Sequence, residues 1–178
     1  ALALSILSHD KGLPVNSDTR LKMMETLALA CGSRGMAGGQ AIDLTSVGKI
    51  LDIAELEDMH IHKTGALIRA SVLISAHCKP GIDPSTMQKL DHYGKCVGLA
   101  FQIRDDILDV EGETEVIGKT KGADIAQNKP TYPAVLGMDG AKARAQELHQ
   151  EAMDALSSLD QRADTLREIS RYIVERSS

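Results

Sequence analysis

The chain has no tryptophan, one phenylalanine and three tyrosines, so aromatics make up only 2% of its 178 residues. A core without them must be built from Ala, Leu, Ile, Val and Met. That favours helices over sheets, which draw on aromatic and β-branched side chains. No stretch alternates apolar and polar with period 2, and no internal repeat recurs. No apolar run reaches the roughly 20 residues of a bilayer-spanning helix, so no membrane span is expected. Positive charge is not in excess either: 20 Lys+Arg stand against 25 Asp+Glu, a formal net charge of −5. Nucleic-acid binding, which needs a broad basic surface, is therefore not expected. The three cysteines, Cys31, Cys78 and Cys96, lie far apart, form no C-x-x-C pair and are odd in number. They exclude a disulfide framework and read as reduced, mostly buried thiols of a cytoplasmic protein.

What is present is ordinary in amount: 43% hydrophobic and 25% charged residues, enough for a helical domain with a sizeable core. Ala1 to Ser8 is apolar nearly all round and has no N-cap before it, so it reads as the end of a helix that expects burial on every side. We expect a longer protein with helices before Ala1. A loop over 9–16 precedes a helix capped by Ser17 or Asp18 and stopped by Gly32. A second helix, 34–44, carries Gly35, Gly38 and Gly39. Their cost in helix propensity wants a reason, and close approach of another backbone supplies one. A third helix is expected over 53–77 and a fourth from about Pro84 to Val110. A polar, Gly-spaced loop follows over 112–128, then a short apolar segment over 131–138. Helices over 139–159 and 160–175 complete an all-α bundle. The scattered methionines read as core filler. Arg162, Arg167, Arg171 and Arg176, interspersed with glutamates, read as a solvated face.

The chemistry concentrates in Phe101-Gln102-Ile103-Arg104-Asp105-Asp106-Ile107-Leu108-Asp109. Asp105 and Asp109 are four apart and share a helix face, with Gln102 on the same side; Asp106 lies about 100° around. Glu111, Glu113 and Glu115 extend the acidic run. Carboxylates repel at this spacing and oppose the macrodipole at a helix C-terminus, so the cluster wants a cation. Mg²⁺ suits it, because it takes a few carboxylates and completes its shell with water and phosphate oxygens. Lys119, Lys121 and Lys129 follow, in Gly118-Lys119 and Asn128-Lys129-Pro130. Together these describe a candidate polyphosphate–metal site. Lys63 and Thr64 precede an apolar stretch on the third helix; Lys63 reads as a phosphate ligand or as a snorkelling side chain. His60 and His62 point to different faces and are not read as metal ligands. Gln40 and Asp43 share a face and either reach the site or cross-link helices.

In this order, Gly39-Gln40 with Asp43-Leu44, Lys63-Thr64-Gly65-Ala66-Leu67, Phe101-Gln102 with Asp105-Asp106-Ile107-Leu108-Asp109, Gly118-Lys119, and Lys129 before Thr131-Tyr132-Pro133 resemble the trans-isoprenyl diphosphate synthases. Within that family the chain looks most like the bacterial farnesyl diphosphate synthases (geranyltranstransferases). The resemblance implies the isoprenoid-synthase helical bundle, with residues 1–178 as the C-terminal part of one domain. It also implies a cytoplasmic homodimer that condenses isopentenyl diphosphate with an allylic diphosphate (geranyl or dimethylallyl). By the same resemblance, Asp105, Asp106 and Asp109 hold Mg²⁺, with Asp105 and Asp109 the nearer. Lys63, Lys119 and Lys129 hold the allylic diphosphate, Thr64 and Gln102 flank the developing cation, and Phe101 lines the isopentenyl side. A first aspartate-rich motif with its Arg-Arg pair does not occur in the chain, and we expect it before Ala1. The 178-residue polypeptide alone is accordingly expected to show little turnover. A geranylgeranyl or longer-chain synthase, and a non-catalytic subunit of a heteromeric synthase, are the alternatives at this stage.

Overall fold

A computed structural model describes residues 1–117 and 130–177. Among these residues every regular element is helical: α1 (Leu2–His9), α2 (Ser17–Cys31), α3 (Met36–Ser46), α4 (Ile53–His60), α5 (Ala66–His77), α6 (Pro84–Ile117), α7 (Tyr132–Ala155) and α8 (Asp164–Glu175). A π-helical turn, Ile61–Gly65, joins α4 to α5, and a 3₁₀ turn, Gln161–Ala163, leads into α8. The all-α expectation stands.

Local chemistry sets most of the boundaries. The Asn16 side chain accepts from Thr19 N and caps α2, one residue before the caps expected from sequence. Asp52 and Glu55 form a reciprocal capping box at the start of α4, which satisfies two otherwise unpaired N–H groups. Thr131 caps α7 by accepting from Ala134 N. Gly137 within α7 has φ 74° and breaks the helix at the left-handed conformation that only glycine adopts cheaply. That kink divides the 131–138 segment from the helix that follows it, as the sequence pattern divides them.

α6 is the central helix. Its 34 residues span roughly 50 Å at 1.5 Å per residue. It packs chiefly against α7 and α5, and also against the π turn and α8. Leu56, Met59, Val97, Ile103, Ile107 and Leu148 form the heart of the core. Two of the three tyrosines are fully buried there, Tyr93 and Tyr132. The Tyr93 hydroxyl donates to Leu166 O at 2.7 Å and ties α6 to α8; burial pushes its pKa up to about 12.

Four expectations need correction. The helix over 53–77 is interrupted by the π turn. α6 runs on through Gly112 to Ile117 instead of ending near Val110. Lys142 holds Glu111 at 2.7 Å on this extension, and the open space around Gly112 shows that no neighbour forces the chain to turn there. α1 is not buried on every side: it packs against α2, and only Leu7 is covered while Leu2, Leu4 and Ile6 are exposed. The cysteines are not mostly buried, because Cys31 is exposed and Cys78 half-buried; only Cys96 lies inside.

Candidate active site

The π turn is held between two helices by glycine. A Cβ on Gly39 of α3 would stand 2.1 Å from Lys63 N and 2.5 Å from Lys63 Cα. On the other side, a Cβ on Gly98 of α6 would stand 2.8 Å from Gly65 Cα. Both distances are impossible for a real carbon, so α3 and α6 approach the turn only because these positions lack side chains. The glycines that weaken α3 as a helix thus acquire a reason at Gly39.

This clamp sets the positions of two predicted residues. Lys63 Nζ lies 2.6 Å from Asp43 Oδ2 on α3, with both side chains largely covered. Thr64 Oγ1 donates to Gln102 Oε1 on α6 at 2.8 Å. Gln102 Nε2 in turn donates to Asp106 Oδ1 at 3.1 Å. Tyr132 N, at the start of α7, donates to Asp106 Oδ2 at 3.1 Å. His60 stacks on the Tyr132 ring, with centroids 5.6 Å apart and planes 17° apart. His60 Nε2 lies 3.3 Å from Asp106 Oδ2, but out of line for a hydrogen bond. Asp106 is therefore buried, with both oxygens engaged. Its carboxylate fixes which way the Gln102 amide faces, and so aims Gln102 Oε1 at Thr64. Burial, with the negative charge of Glu57 beside it, pushes the Tyr132 phenol well above its ordinary pKa.

The neighbouring aspartates face elsewhere. Asp105 is paired with Arg176, just past the end of α8. The same guanidinium lies over the Phe101 ring, 4.6 Å from its centroid, a cation–π arrangement. Arg104 Nε donates to Arg176 O at 2.9 Å and holds the terminal segment in place. Asp109 is exposed one turn further along α6. The helical phase expected from the spacing, with Asp106 about 100° away from Asp105 and Asp109, is what the structure has. Asp105 and Asp109 present an outward face on which a cation already stands, and Asp106 points into the core. In this structure the Arg176 guanidinium supplies the positive charge at Asp105.

Sequence reasoning missed three participants. Arg176 is not part of a solvated face; its side chain is only 14% exposed. Arg167 also departs from that face, donating to Leu156 O and Leu159 O at 2.7 Å each. His60 and Tyr132 surround Asp106, and only the Thr-Tyr-Pro block hinted at one of them. Asp43, left open between two roles, pairs with Lys63. Lys119, Lys121 and Lys129 lie outside the described residues.

The polyprenyl synthetase family profile matches residues 1–172. The chain is 45% identical to the farnesyl diphosphate synthase of Escherichia coli (strain K12), with 98% of this chain aligned to 60% of that protein. Among solved structures it is similar to an FPP/GFPP synthase from Zymomonas mobilis, with TM-score 0.83 and 35% identity over 97% of this chain and 56% of that one. It is also similar to a geranyltransferase from Helicobacter pylori complexed with magnesium and isoprenyl diphosphate, with TM-score 0.75 and 29% identity over 97% of this chain and 55% of that one. The chain belongs to the polyprenyl synthetase family. It spans little more than half the length of the proteins it matches.

Proposed function

We propose that this chain supplies the leaving-group side of a prenyl-transfer site, in an enzyme that makes farnesyl diphosphate from isopentenyl diphosphate and an allylic diphosphate. The observation that carries the reading is the Thr64–Gln102–Asp106 chain of hydrogen bonds beside Lys63 and the Asp105/Asp109 face. That arrangement gathers two oriented oxygens, a cation and two outward carboxylates around the middle of α6.

The chemistry follows from those groups. The allylic C–O bond breaks and its electron pair leaves with the diphosphate. The isopentenyl double bond attacks the allylic carbon, a C–C bond forms, and the departing diphosphate takes up the proton lost as the new double bond forms. Lys63, released from Asp43, neutralises departing phosphate oxygens. Gln102 Oε1 and Thr64 Oγ1 place negative dipole ends beside the developing carbocation, and Asp106 keeps the amide from turning its NH₂ toward it. Phe101 lines the isopentenyl side. Asp105 and Asp109 fit Mg²⁺ as hard oxygen ligands, and Arg176 must move off Asp105 for them to do so. Magnesium, when bound, supplies the charge that stabilises the diphosphate. We read the assembled enzyme as a cytoplasmic homodimer, as the family resemblance implies. No helix among the described residues is long and apolar enough to cross a membrane.

The test is calorimetry with a non-ionisable geranyl diphosphate analogue, with and without Mg²⁺, followed by product analysis with isopentenyl and geranyl diphosphates. Mg²⁺-dependent binding that is lost in Lys63→Ala, and a fifteen-carbon product from the enzyme carrying this chain, are expected. Binding indifferent to Mg²⁺ and to Lys63→Ala would overturn the reading. A twenty-carbon product would overturn the farnesyl assignment alone.

A further inference from the structure

A second cluster of ligating atoms lies nearer the start of α6. His92 and Cys96 are one turn apart and present side chains on one face; Glu151 meets them from α7. Cys96 Sγ lies 3.7 Å from His92 Nε2 and 3.7 Å from Glu151 Oε2, and those two are 3.9 Å apart. Tetrahedral zinc, with a bond of about 2.3 Å to sulfur and about 2.0 Å to nitrogen or oxygen, holds its donor atoms roughly 3.3–3.6 Å apart. The three atoms thus form a nearly equilateral triangle that needs to contract by about 0.2 Å along each edge to sulfur and about 0.6 Å between nitrogen and oxygen.

The surroundings favour a bound cation over a chance encounter. Arg144 Nη1 lies 3.7 Å from the other oxygen of Glu151, Oε1, and leaves Oε2 turned toward the sulfur. Arg144 Nε is itself 3.3 Å from Glu57 Oε1, so the guanidinium is shared and Glu151 is not fully neutralised. Cys96 is buried, whereas His92 and Glu151 are about half-exposed and open onto a cleft of about 450 Å³ between α4, α6 and α7. An ion has an entry path and a fourth position for water. Lys95 also borders the cleft; its ammonium is drawn away to Asp91, 2.8 Å from Oδ2. Cys96 and Asp105 are nine residues apart, roughly 13 Å along the helix, so one ion cannot serve both clusters.

We infer that His92, Cys96 and Glu151 bind a thiophilic divalent cation of the zinc type, at a site separate from the aspartates. The mixed sulfur, imidazole and carboxylate set selects such an ion over Mg²⁺, which prefers oxygen alone.

The site is tested with cobalt(II) and zinc(II) alone, in protein carrying Cys31→Ser and Cys78→Ser so that Cys96 is the thiol observed in this chain. One equivalent of cobalt should give a thiolate-to-metal charge-transfer band together with the visible bands of a tetrahedral ion, and zinc should displace it. Cys96→Ser should abolish the charge-transfer band, and His92→Gln and Glu151→Gln should each weaken binding by about tenfold or more. Asp105→Asn should leave both the band and the affinity unchanged. Circular dichroism confirms that each variant is folded, and the two glutamine variants keep the test decisive if Cys96→Ser is not. Failure of the band to appear, its survival in Cys96→Ser, or unchanged affinity in both glutamine variants would overturn the proposal. None of these outcomes bears on diphosphate binding at the aspartates further along α6.

Discussion

Asp105 and Asp106 are neighbours in sequence and carry the same chemistry, yet they live in different media. Asp106 is sealed in the core with both oxygens hydrogen-bonded. Asp105 is about one-third exposed and answers to a single cation, Arg176. One carboxylate is part of the scaffold and the other is available for exchange. The lesson is that helical phase, not residue type, divides structural from chemical work along α6. An aspartate at a shared, exposed face can trade an arginine for a metal. One rotated by about 100° becomes a fixed acceptor.

The largest expected effect comes from breaking the fixed partner. Asp106→Ala strands Tyr132 N and the Gln102 amide, and should cost about 3 kcal/mol of stability in urea unfolding, because buried donors to a charged acceptor lose it outright. Asp105→Ala should cost less, about 1 kcal/mol, because Asp105 is one-third exposed and Arg176 keeps its place over the Phe101 ring. It should nonetheless weaken Mg²⁺-dependent diphosphate binding roughly 100-fold, on the scale of a lost electrostatic contact in such a site. Equal destabilisation by the two variants would dissolve the comparison. Gly39→Ala comes next. Its Cβ cannot coexist with the Lys63 backbone, so α3 must shift at a cost of about 2 kcal/mol. Because that shift also displaces the π turn that carries Lys63 and Thr64, diphosphate affinity should fall together with the melting temperature. The smallest effect belongs to Asp160, a carboxylate with neither burial nor a site. A side-chain hydrogen bond from Arg162 comes first among the causes that hold its pKa at about 2 instead of 3.8. A depressed pKa contributes stability that is present above about 3.8 and is lost as pH falls through about 2. Asp160→Asn, which keeps the capping oxygen, should leave neutral stability nearly unchanged and flatten the acid limb of the unfolding curve between those values.

Much of this was legible in the residues, because the signals are local. Gly32 stops α2, the acidic-capped start of α4 is written in Asp52 and Glu55, and the DDxxD spacing separates Asp106 from its two companions by geometry alone. The close approach at Gly39 was legible in outline, since three glycines in a short helix demand a neighbour. The unread features are non-local or marginal. Ile61 to Gly65 is ordinary helical sequence, and only packing between Gly39 and Gly98 distinguishes a π turn from an α turn there. Arg176 reaches Asp105 across 71 positions, a contact that no window on the sequence contains. Gly112 resembles a stop, but a helix tolerates one glycine for about 1 kcal/mol when nothing else turns the chain.

The π turn also bears on how this fold tolerates change in length. A π turn is an α-helix with one residue of surplus, so the helices flanking it stay in phase with each other if that residue is removed. Elsewhere in a helix, a deletion rotates everything beyond it and pulls its apolar stripe off the core. Between Ile61 and Gly65, a deletion would instead iron the bulge flat, leaving Leu56 and Met59 on one flank and Ala70 on the other still buried. What it would erase is the placement of Lys63 against Asp43 and of Thr64 against Gln102. The two residues proposed to meet the substrate thus sit on a stretch whose surplus residue the core does not need, which separates what the fold requires from what the proposed chemistry requires.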